Sequence, residues 1–295
     1  MIQKLHAIVT LLRPSQWVKN GFVALPLLFA HEIADMQRLQ AVALVAVAFC
    51  LLSSAIYAIN DTVDREADRE HPDKRDRPLA SGQLSPRFAI GLAVALVVLS
   101  WLLALSVNPT VQWVLLAYLV SNLAYSLWLK QVAIVDVTII GLGFVLRVLA
   151  GGLAAQVWIS PWMLIMTFLL ALLLAFGKRH DDLVNVPGQD RHRHSLKGYS
   201  PEFLSQAMTM MGGIVVVSYL LYTLSPVVIE RHGTDSLYLT TIFVVVGVLR
   251  YLQQALVFRR AASPTRVLLR DHVLQGIILA WLISIVWIIY GSGLS

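Results

Sequence analysis

The sequence predicts an all-α integral membrane protein, with nine transmembrane helices around a central cavity in a single domain spanning residues 1–295. Hydrophobic residues make up 58% of the 295 positions and charged residues only 14%. A soluble domain carries about 25% charged residues, so this composition disfavours a water-soluble fold. The apolar residues also fall into runs long enough to cross a bilayer, which takes about 20 residues at about 1.5 Å each.

Nine apolar runs reach this length, at 16–31, 40–60, 86–106, 110–129, 133–154, 160–178, 201–224, 236–257 and 272–291. Three predicted helices start at a Ser-Pro pair: Ser85-Pro86, Ser160-Pro161 and Ser200-Pro201. Such a pair predicts a helix start, because serine caps the first free amides and proline fits the first turn. The first run contains Pro26, which predicts a kinked or tilted helix there.

Lys and Arg are concentrated in alternate loops. Loops 61–87, 178–200 and 258–271 are rich in both, whereas 155–160 contains neither. Cytoplasmic loops carry this excess, so the three loops and the N-terminus are predicted to be cytoplasmic, and nine crossings put the C-terminus outside. The net charge of +6 reflects the same bias, so we expect no nucleic-acid partner. The predicted location is a bacterial-type cytoplasmic (inner) membrane, crossed several times.

The first charged loop begins with a cluster of carboxylates. On a helix, the spacing of Asp61, Asp64 and Asp68 puts all three on one face within two turns. Asn60 adds a neutral oxygen beside them. Hard oxygen ligands suit Mg²⁺, which is usually completed by water and substrate phosphates. We therefore assign Asp61, Asp64 and Asp68 as metal ligands and catalytic residues, and Asn60 as a substrate-binding residue. The alternative is a solvated loop of mixed charge.

Basic residues follow the carboxylates and recur elsewhere in the chain. Lys74 and Arg77 are candidate phosphate ligands because charge-assisted contacts to phosphate are strong. Further candidate substrate-binding residues are Lys19, Arg147, Lys178, Arg179, Asp182, Arg193, Lys197 and Tyr199. The segment around Lys19 has an alternative role as an interfacial anchor, with Trp17 at headgroup depth.

Two charges lie within the fifth predicted span. Asp136 and Arg147 share a helix face but are about 16 Å apart, so they cannot pair directly. Charges inside a span usually line a cavity, and the alternative is that each pairs with a neighbouring helix.

These residues resemble the UbiA superfamily of membrane prenyltransferases. The resemblance rests on the nine spans and on Asn60-Asp61-x-x-Asp64-x-x-x-Asp68 followed by Lys74 and Arg77-Pro78. Within the superfamily the chain is most similar to the decaprenyl-phosphate phosphoribosyltransferase branch. The motifs similar to that branch are Arg13-Pro14-x-Gln16-Trp17-Val18-Lys19-Asn20, His71-Pro72-x-Lys74-x-x-Arg77-Pro78, Phe144-x-x-Arg147-x-x-Ala150-Gly151-Gly152, Gly177-Lys178-Arg179-x-x-Asp182-Leu183 and Arg193-x-Ser195-Leu196-x-x-Tyr199.

One departure separates the chain from many superfamily members, which carry a second D-x-x-x-D motif after span six. Here Asp181 and Asp182 are followed by Asn185 and Val186, so that motif is absent. The departure favours the phosphoribosyl branch.

The resemblance implies a Mg²⁺-dependent transfer of the 5-phosphoribosyl group from phosphoribosyl diphosphate to a polyprenyl phosphate, with release of diphosphate. The implied active site faces the cytoplasm, the polyprenyl tail lies among the helices in the lipid bilayer, and a homo-oligomer is possible. One alternative is a prenyltransferase of the same superfamily that moves a prenyl group from prenyl diphosphate to an aromatic acceptor. The other is a lipid carrier or transporter without enzymatic activity.

Overall fold

The computed structural model describes residues 2–30, 32–70, 74–185, 194–258 and 264–291, which contain helices and no strand. The α-helices are α1 Ile2–Leu12, α2 Leu25–Phe29, α3 Met36–Val63, α4 Arg65–Glu70, α5 Pro86–Leu105, α6 Pro109–Leu127, α7 Val135–Ala155, α8 Pro161–Asn185, α9 Pro201–Thr223, α10 Pro226–His232, α11 Thr241–Leu252, α12 Pro264–Arg270 and α13 His272–Gly291. Helices of the 3₁₀ type span Pro14–Ala24, Leu129–Gln131, His194–Gly198 and Ser236–Thr240, and a π-helical turn spans Gln253–Val257.

Eight helical segments in the described residues are long and apolar enough to cross a membrane. They are Met36–Val63, Pro86–Leu105, Pro109–Leu127, Val135–Ala155, Pro161–Val184, Pro201–Thr223, Ser236–Val257 and His272–Ile289. The predicted first span, 16–31, does not form one long helix, since the 3₁₀ helix Pro14–Ala24 is followed by the short α2. Pro26 lies at the start of α2, where proline restricts the residue before it and removes a backbone donor.

Side-chain caps explain several helix starts. Ser85 and Ser200 accept bonds from the amides of Phe88 and Phe203, at 3.2 and 3.1 Å, as their Ser-Pro pairs predict. Ser160 does not cap its helix, because its buried hydroxyl has no hydrogen-bond partner. Proline nevertheless begins all three helices, so these starts were predicted at the right residues.

The chain divides into two compact units, and helix α7 contributes to both. Unit 1 comprises Met1–Lys130 and Gly143–Ile159, and unit 2 comprises Gln131–Leu142 and Ser160–Ser295. The single domain with a central cavity stays a prediction.

In unit 1, the 3₁₀ helix Pro14–Ala24 runs antiparallel to α3. As the chain advances from residue 13 to residue 20, its hydrogen-bond partners on α3 move back from residue 61 to residue 50. The bonded pairs are Arg13–Asp61 at 2.5 Å, Trp17–Ser54 at 3.0 Å and Asn20–Cys50 at 3.1 Å. Further along, Val23 and Leu27 share a buried cluster with Val42 and Val45 of α3. The 3₁₀ helix also lies close to α7, because a Cβ at Gly151 would overlap the carbonyl oxygen of Val23.

In unit 2, α8 and α9 pack side by side around Leu173, Phe176, Leu204 and Met208. Helix α11 ends in the π-helical turn, where the amide of Phe258 donates to the carbonyl of Gln253 at 3.1 Å.

Asp271 caps α13 in the same unit. It accepts from the amides of Val273 and Leu274 and also binds Arg250 and Gln254. Burial would raise the pKa of Asp271, but the amide of Leu274 and the Arg250 guanidinium together lower the pKa below its usual range.

Candidate functional site

The acidic motif spans a break between two helices. Helix α3 ends at Val63, Asp64 is its C-cap with ψ 3°, and α4 begins at Arg65. The amide of Asp64 still donates to Asn60 and that of Asp68 to Asp64, at 2.9 and 2.8 Å, so helical hydrogen bonding continues across the break. The shared face was predicted for a single helix, and the structure instead places the three carboxylates on two helices that meet at Asp64.

Asp61 and Asp68 are held together by one cation. They are only 3% and 4% exposed. One nitrogen of Arg77, Nη1, donates to Asp61 at 3.1 Å and to Asp68 at 2.7 Å. Arg13 adds a second ion pair to Asp61 at 2.5 Å and stacks over Tyr57. Two of the three predicted carboxylates therefore face each other across a shared guanidinium.

Asp64 pairs with a different residue. It is half-buried, and Lys130 donates to its Oδ1 at 2.5 Å. Sequence reasoning recognised Lys130 only as a marker of the turn after the fourth span. The available signal was a lone cation at the predicted cytoplasmic end of that span, the same side as the acidic motif.

The acidic motif has the donor chemistry for Mg²⁺. Across the described ranges, no three His, Cys, Asp or Glu side chains are arranged as a ready-made metal site. Mg²⁺ usually binds one or two carboxylates and completes its shell with water and substrate phosphates, so a protein cage is not required. Next to Asp61, the side-chain oxygen of Asn60 is buried without a hydrogen-bond partner. A buried oxygen in this state is costly, and a cation beside it would remove the cost.

Arg147 lies in a polar and aromatic cage of unit 1. It is 5% exposed and donates to Asn20 at 2.8 Å, to the carbonyl of Gly143 at 2.8 Å and to the hydroxyl of Tyr118 at 2.7 Å. Its guanidinium also contacts the rings of Phe49, Tyr118 and Phe144.

Nothing in this cage neutralises the guanidinium. Among the described residues, no carboxylate lies within ion-pair distance of it. Lys19 is close enough to interact electrostatically with Arg147 and Arg13, so a second cation raises the positive potential here. A buried charge without a counter-ion is costly, so this region is suited to binding an anion.

A second cluster lies in unit 2, where Asp136 and Arg179 form an ion pair at 2.8 Å. They are 0% and 1% exposed. The hydroxyl of Tyr199 donates to Asp136 at 2.7 Å and accepts from the amide of Ile134 at 2.6 Å. Burial and the bond to Asp136 raise the pKa of Tyr199 above its usual range, so the hydroxyl keeps its proton at physiological pH. Asp136 and Arg147 therefore each have partners of their own, as their separation predicts.

The remaining predicted residues lie in varied environments. Lys74 and Lys178 are half-buried, Lys197 is exposed, and Asp182 lies 3.6 Å from Arg179. Arg193 lies outside the described residues.

The chain is similar to a known protein family and to several of its members. The model of the UbiA prenyltransferase family matches residues 22–274. A decaprenyl-phosphate phosphoribosyltransferase of Corynebacterium glutamicum is 37% identical over 287 residues, covering 95% of this chain and 85% of the relative. The protein of that name from Mycobacterium tuberculosis H37Rv is 33% identical over 285 residues, covering 94% and 92%.

Solved structures share the fold at lower identity. A UbiA homolog from Archaeoglobus fulgidus bound to GPP and Mg²⁺ has a TM-score of 0.73 at 20% identity, covering 95% of this chain and 99% of that one. The apo UbiA homolog from Aeropyrum pernix K1 has a TM-score of 0.67 at 19% identity, covering 97% and 98%.

Proposed function

We propose, from the premise that this chain belongs to the UbiA prenyltransferase family, that it transfers a 5-phosphoribosyl group from phosphoribosyl diphosphate to a polyprenyl phosphate and releases diphosphate. Relatives named for decaprenyl-phosphate phosphoribosyl transfer are 33–37% identical over almost the whole chain. The structural observation that carries the proposal is the buried cation Arg147, which makes none of the ion pairs of the acidic motif and has Lys19 close to it. A donor with phosphate at both ends, acting on an acceptor that is itself a phosphate, needs more than one cationic site.

The transfer needs no general base. An oxygen of the acceptor phosphate forms a bond to C1 of the ribose as the bond between C1 and the diphosphate breaks. A phosphate monoester has a second pKa of about 6, so the acceptor is already ionised near pH 7. The residues of this chain then have to orient two anions and stabilise the charge on the leaving diphosphate.

Asp61, Asp64, Asp68 and Asn60 are the residues that would hold Mg²⁺. When bound, Mg²⁺ supplies the positive charge that offsets the developing charge of a leaving diphosphate. Arg77 binds Asp61 and Asp68 and therefore lies directly beside the proposed Mg²⁺ position. It is suited to bind the diphosphate there. The assignments of Lys74, Lys178, Asp182, Arg193 and Lys197 to substrate binding stay predictions.

The protein crosses a bacterial cytoplasmic membrane nine times in this proposal, with its active site facing the cytoplasm. A ninth crossing is supported by residues 13–27, which lie along α3. They extend from the level of Asp61 to the buried cluster that includes Val42. Residues 61 and 50 alone are about 16 Å apart along a helix, about half a bilayer core. The N-terminus and the acidic motif are then on the same side, and the C-terminus is outside.

The proposal is tested with purified protein, Mg²⁺, phosphoribosyl diphosphate labelled in the ribose, and a short polyprenyl phosphate. We expect label in the lipid phase, with diphosphate released only when the polyprenyl phosphate is present. The contradicting result is transfer from labelled prenyl diphosphate to an aromatic acid, with none from the ribosyl donor. Solved relatives bound to GPP make that second reaction the necessary comparison.

A further inference from the structure

The Asp136–Arg179 pair of unit 2 leaves Arg179 little freedom to bind a substrate. Its guanidinium is held by Asp136 at 2.8 Å and has a second carboxylate, Asp182, at 3.6 Å. Arg179 is 1% exposed, and the carboxylate it binds is 0% exposed. A phosphate could reach this guanidinium only if the residues that cover it moved, and loss of the pair with Asp136 would leave a buried carboxylate without its ion-pair partner.

Tyr199 joins this pair to the end of the second charged loop. Its hydroxyl donates to Asp136 and accepts from the amide of Ile134. Its ring packs edge-on against Phe176 of α8, at 6.4 Å between centroids, and stacks with Phe203 of α9. One side chain therefore contacts the start of α7, the α8 residue Phe176 and the start of α9.

The turn in front of α7 is strained where Tyr199 binds it. Ile134 has φ 69°, a left-handed conformation that is unfavourable for a β-branched residue. The loop also lies tightly against this turn, because a Cβ at Gly198 would overlap the side chain of Ala133. Ser195 and Leu196 are each 1% exposed, so the segment 195–199 is docked. Such strain persists only where its surroundings hold it, and the bond from the amide of Ile134 to Tyr199 is one of the contacts that do so here.

We infer that Asp136, Arg179 and Tyr199 form a clamp that holds α8 and the segment 195–199 against the start of α7, and that Arg179 and Tyr199 are positioning residues rather than phosphate ligands. The clamp therefore positions Lys178, which lies in α8 next to Arg179, and Lys197, which lies in the docked segment. This inference rests on the proposed function, in which those two lysines bind a phosphate of the donor or the acceptor.

A double-mutant cycle distinguishes a clamp from a direct ligand. Asp136→Asn and Arg179→Gln should each raise KM for phosphoribosyl diphosphate or for polyprenyl phosphate about tenfold, with kcat changed less than about threefold. The double variant should be no worse than either single variant, because both remove the same interaction. If Arg179 binds phosphate directly, Asp136→Asn would leave KM unchanged or lower it while Arg179→Gln raises it, and the inference would be wrong.

Tyr199→Phe is a milder test that keeps the ring and removes both hydroxyl bonds. Its matched control is Tyr219→Phe in the same unit, where the buried hydroxyl bonds Thr240 and Trp281 instead. Both variants should melt at a lower temperature than the wild type. Only Tyr199→Phe should raise KM, and only it should speed hydrogen exchange in peptides covering 131–138 and 194–199. Equal KM effects in the two variants, or unchanged exchange in Tyr199→Phe, would overturn the clamp.

Hydrogen exchange is measured without substrate, so it tests the clamp independently of the proposed function. If the wild type transferred no ribosyl label, the proposed function would fail and the assignment of the lysines with it. Faster exchange in Tyr199→Phe alone would still support the clamp as a structural element.

Discussion

Arg77 and Arg13 determine how the acidic motif behaves when single residues are changed. Asp61 and Asp68 share Arg77, and Asp61 also binds Arg13, so each buried carboxylate already has a cationic partner. The two arginine side chains are 28% and 25% exposed and can turn toward water if a carboxylate is lost. Substitution of one aspartate should therefore affect the chemistry far more than the folding.

We expect Asp61→Asn, Asp64→Asn and Asp68→Asn each to lower the rate of ribosyl transfer at least about 100-fold, a typical cost of removing an electrostatic element of the transition state. Asp76→Asn is the control, since Asp76 is exposed in the same loop. EDTA should abolish wild-type transfer and added Mg²⁺ restore it. Near-normal rates in all three variants, or full activity in chelator, would rule out the metal assignment.

Gln156 is a single residue whose left-handed backbone conformation should lower the stability of the protein. It follows α7 with φ 54°, and the amide of Val157 donates to the carbonyl of Gly152 at 3.1 Å, which is the Schellman pattern. Glycine takes this left-handed position in most helices, as Gly233 does after α10 with φ 63°.

Gln156→Gly should therefore stabilise the protein by about 1 kcal/mol, because glycine removes the left-handed penalty. The measurement is thermal or denaturant unfolding in detergent. Gln112→Gly, inside α6, is the matched control and should destabilise by about the same amount. Equal effects of the two substitutions would contradict the Schellman explanation.

At the scale of elements, the position of the 3₁₀ helix Pro14–Ala24 depends on its contact with α7. Gly151 lies directly against the backbone carbonyl of Val23. A side chain added at Gly151 could therefore not be accommodated by the movement of a flexible side chain. The same 3₁₀ helix carries Asn20, which orients the Arg147 guanidinium. Helix packing and the cationic region are therefore linked within unit 1.

Gly151→Ala should destabilise the protein by about 1–3 kcal/mol, the usual range for overpacking a close contact. It should also weaken substrate use, because displacement of the 3₁₀ helix moves Asn20 away from Arg147. Gly91→Ala on α5 is the control, since nothing lies within 4 Å of a Cβ there, and alanine favours a helix. Unfolding midpoints and KM values for both variants check this prediction. A stable Gly151→Ala variant with unchanged KM would show that the close approach is not needed.

Sequence reasoning was most successful where the relevant residues are close together along the chain. Asp61, Asp68 and Arg77 lie within seventeen positions, so the sequence grouped them in one motif, although it did not predict that Arg77 pairs with both carboxylates. Lys130 is 66 positions from Asp64, and Arg179 is 43 from Asp136, so tertiary packing decides these pairs. Apolar runs predicted nine spans, and eight of them correspond to membrane-length helical segments in the described residues. The ninth, 16–31, shows that the length of a run does not determine whether the backbone forms one helix.

At the scale of the whole molecule, the proposed topology rests on the distribution of Lys and Arg among the loops. In a Cys50→Ser background, we expect a cysteine at Gln83 to be protected from an impermeant thiol reagent in intact cells and a cysteine at Glu230 to be labelled. Both positions are exposed, so accessibility depends on the side of the membrane. A cysteine at Gln3 should be protected if residues 13–27 cross the membrane. Labelling at Gln83, or protection at Glu230, would reverse the proposed orientation.

The Arg147 guanidinium should also influence which small molecules remain bound to the purified protein. Among the described residues no carboxylate lies within ion-pair distance of it, so we expect this region to bind small anions such as phosphate or sulfate from the solution. Preparations made in different salts would then differ in the fraction of protein molecules that carry a bound anion, although the polypeptide is the same. Native mass spectrometry after extraction, compared with an Arg147→Gln sample, would reveal the anion as extra mass in the wild type alone. An assay started from such material would show a lag while substrate displaces the anion.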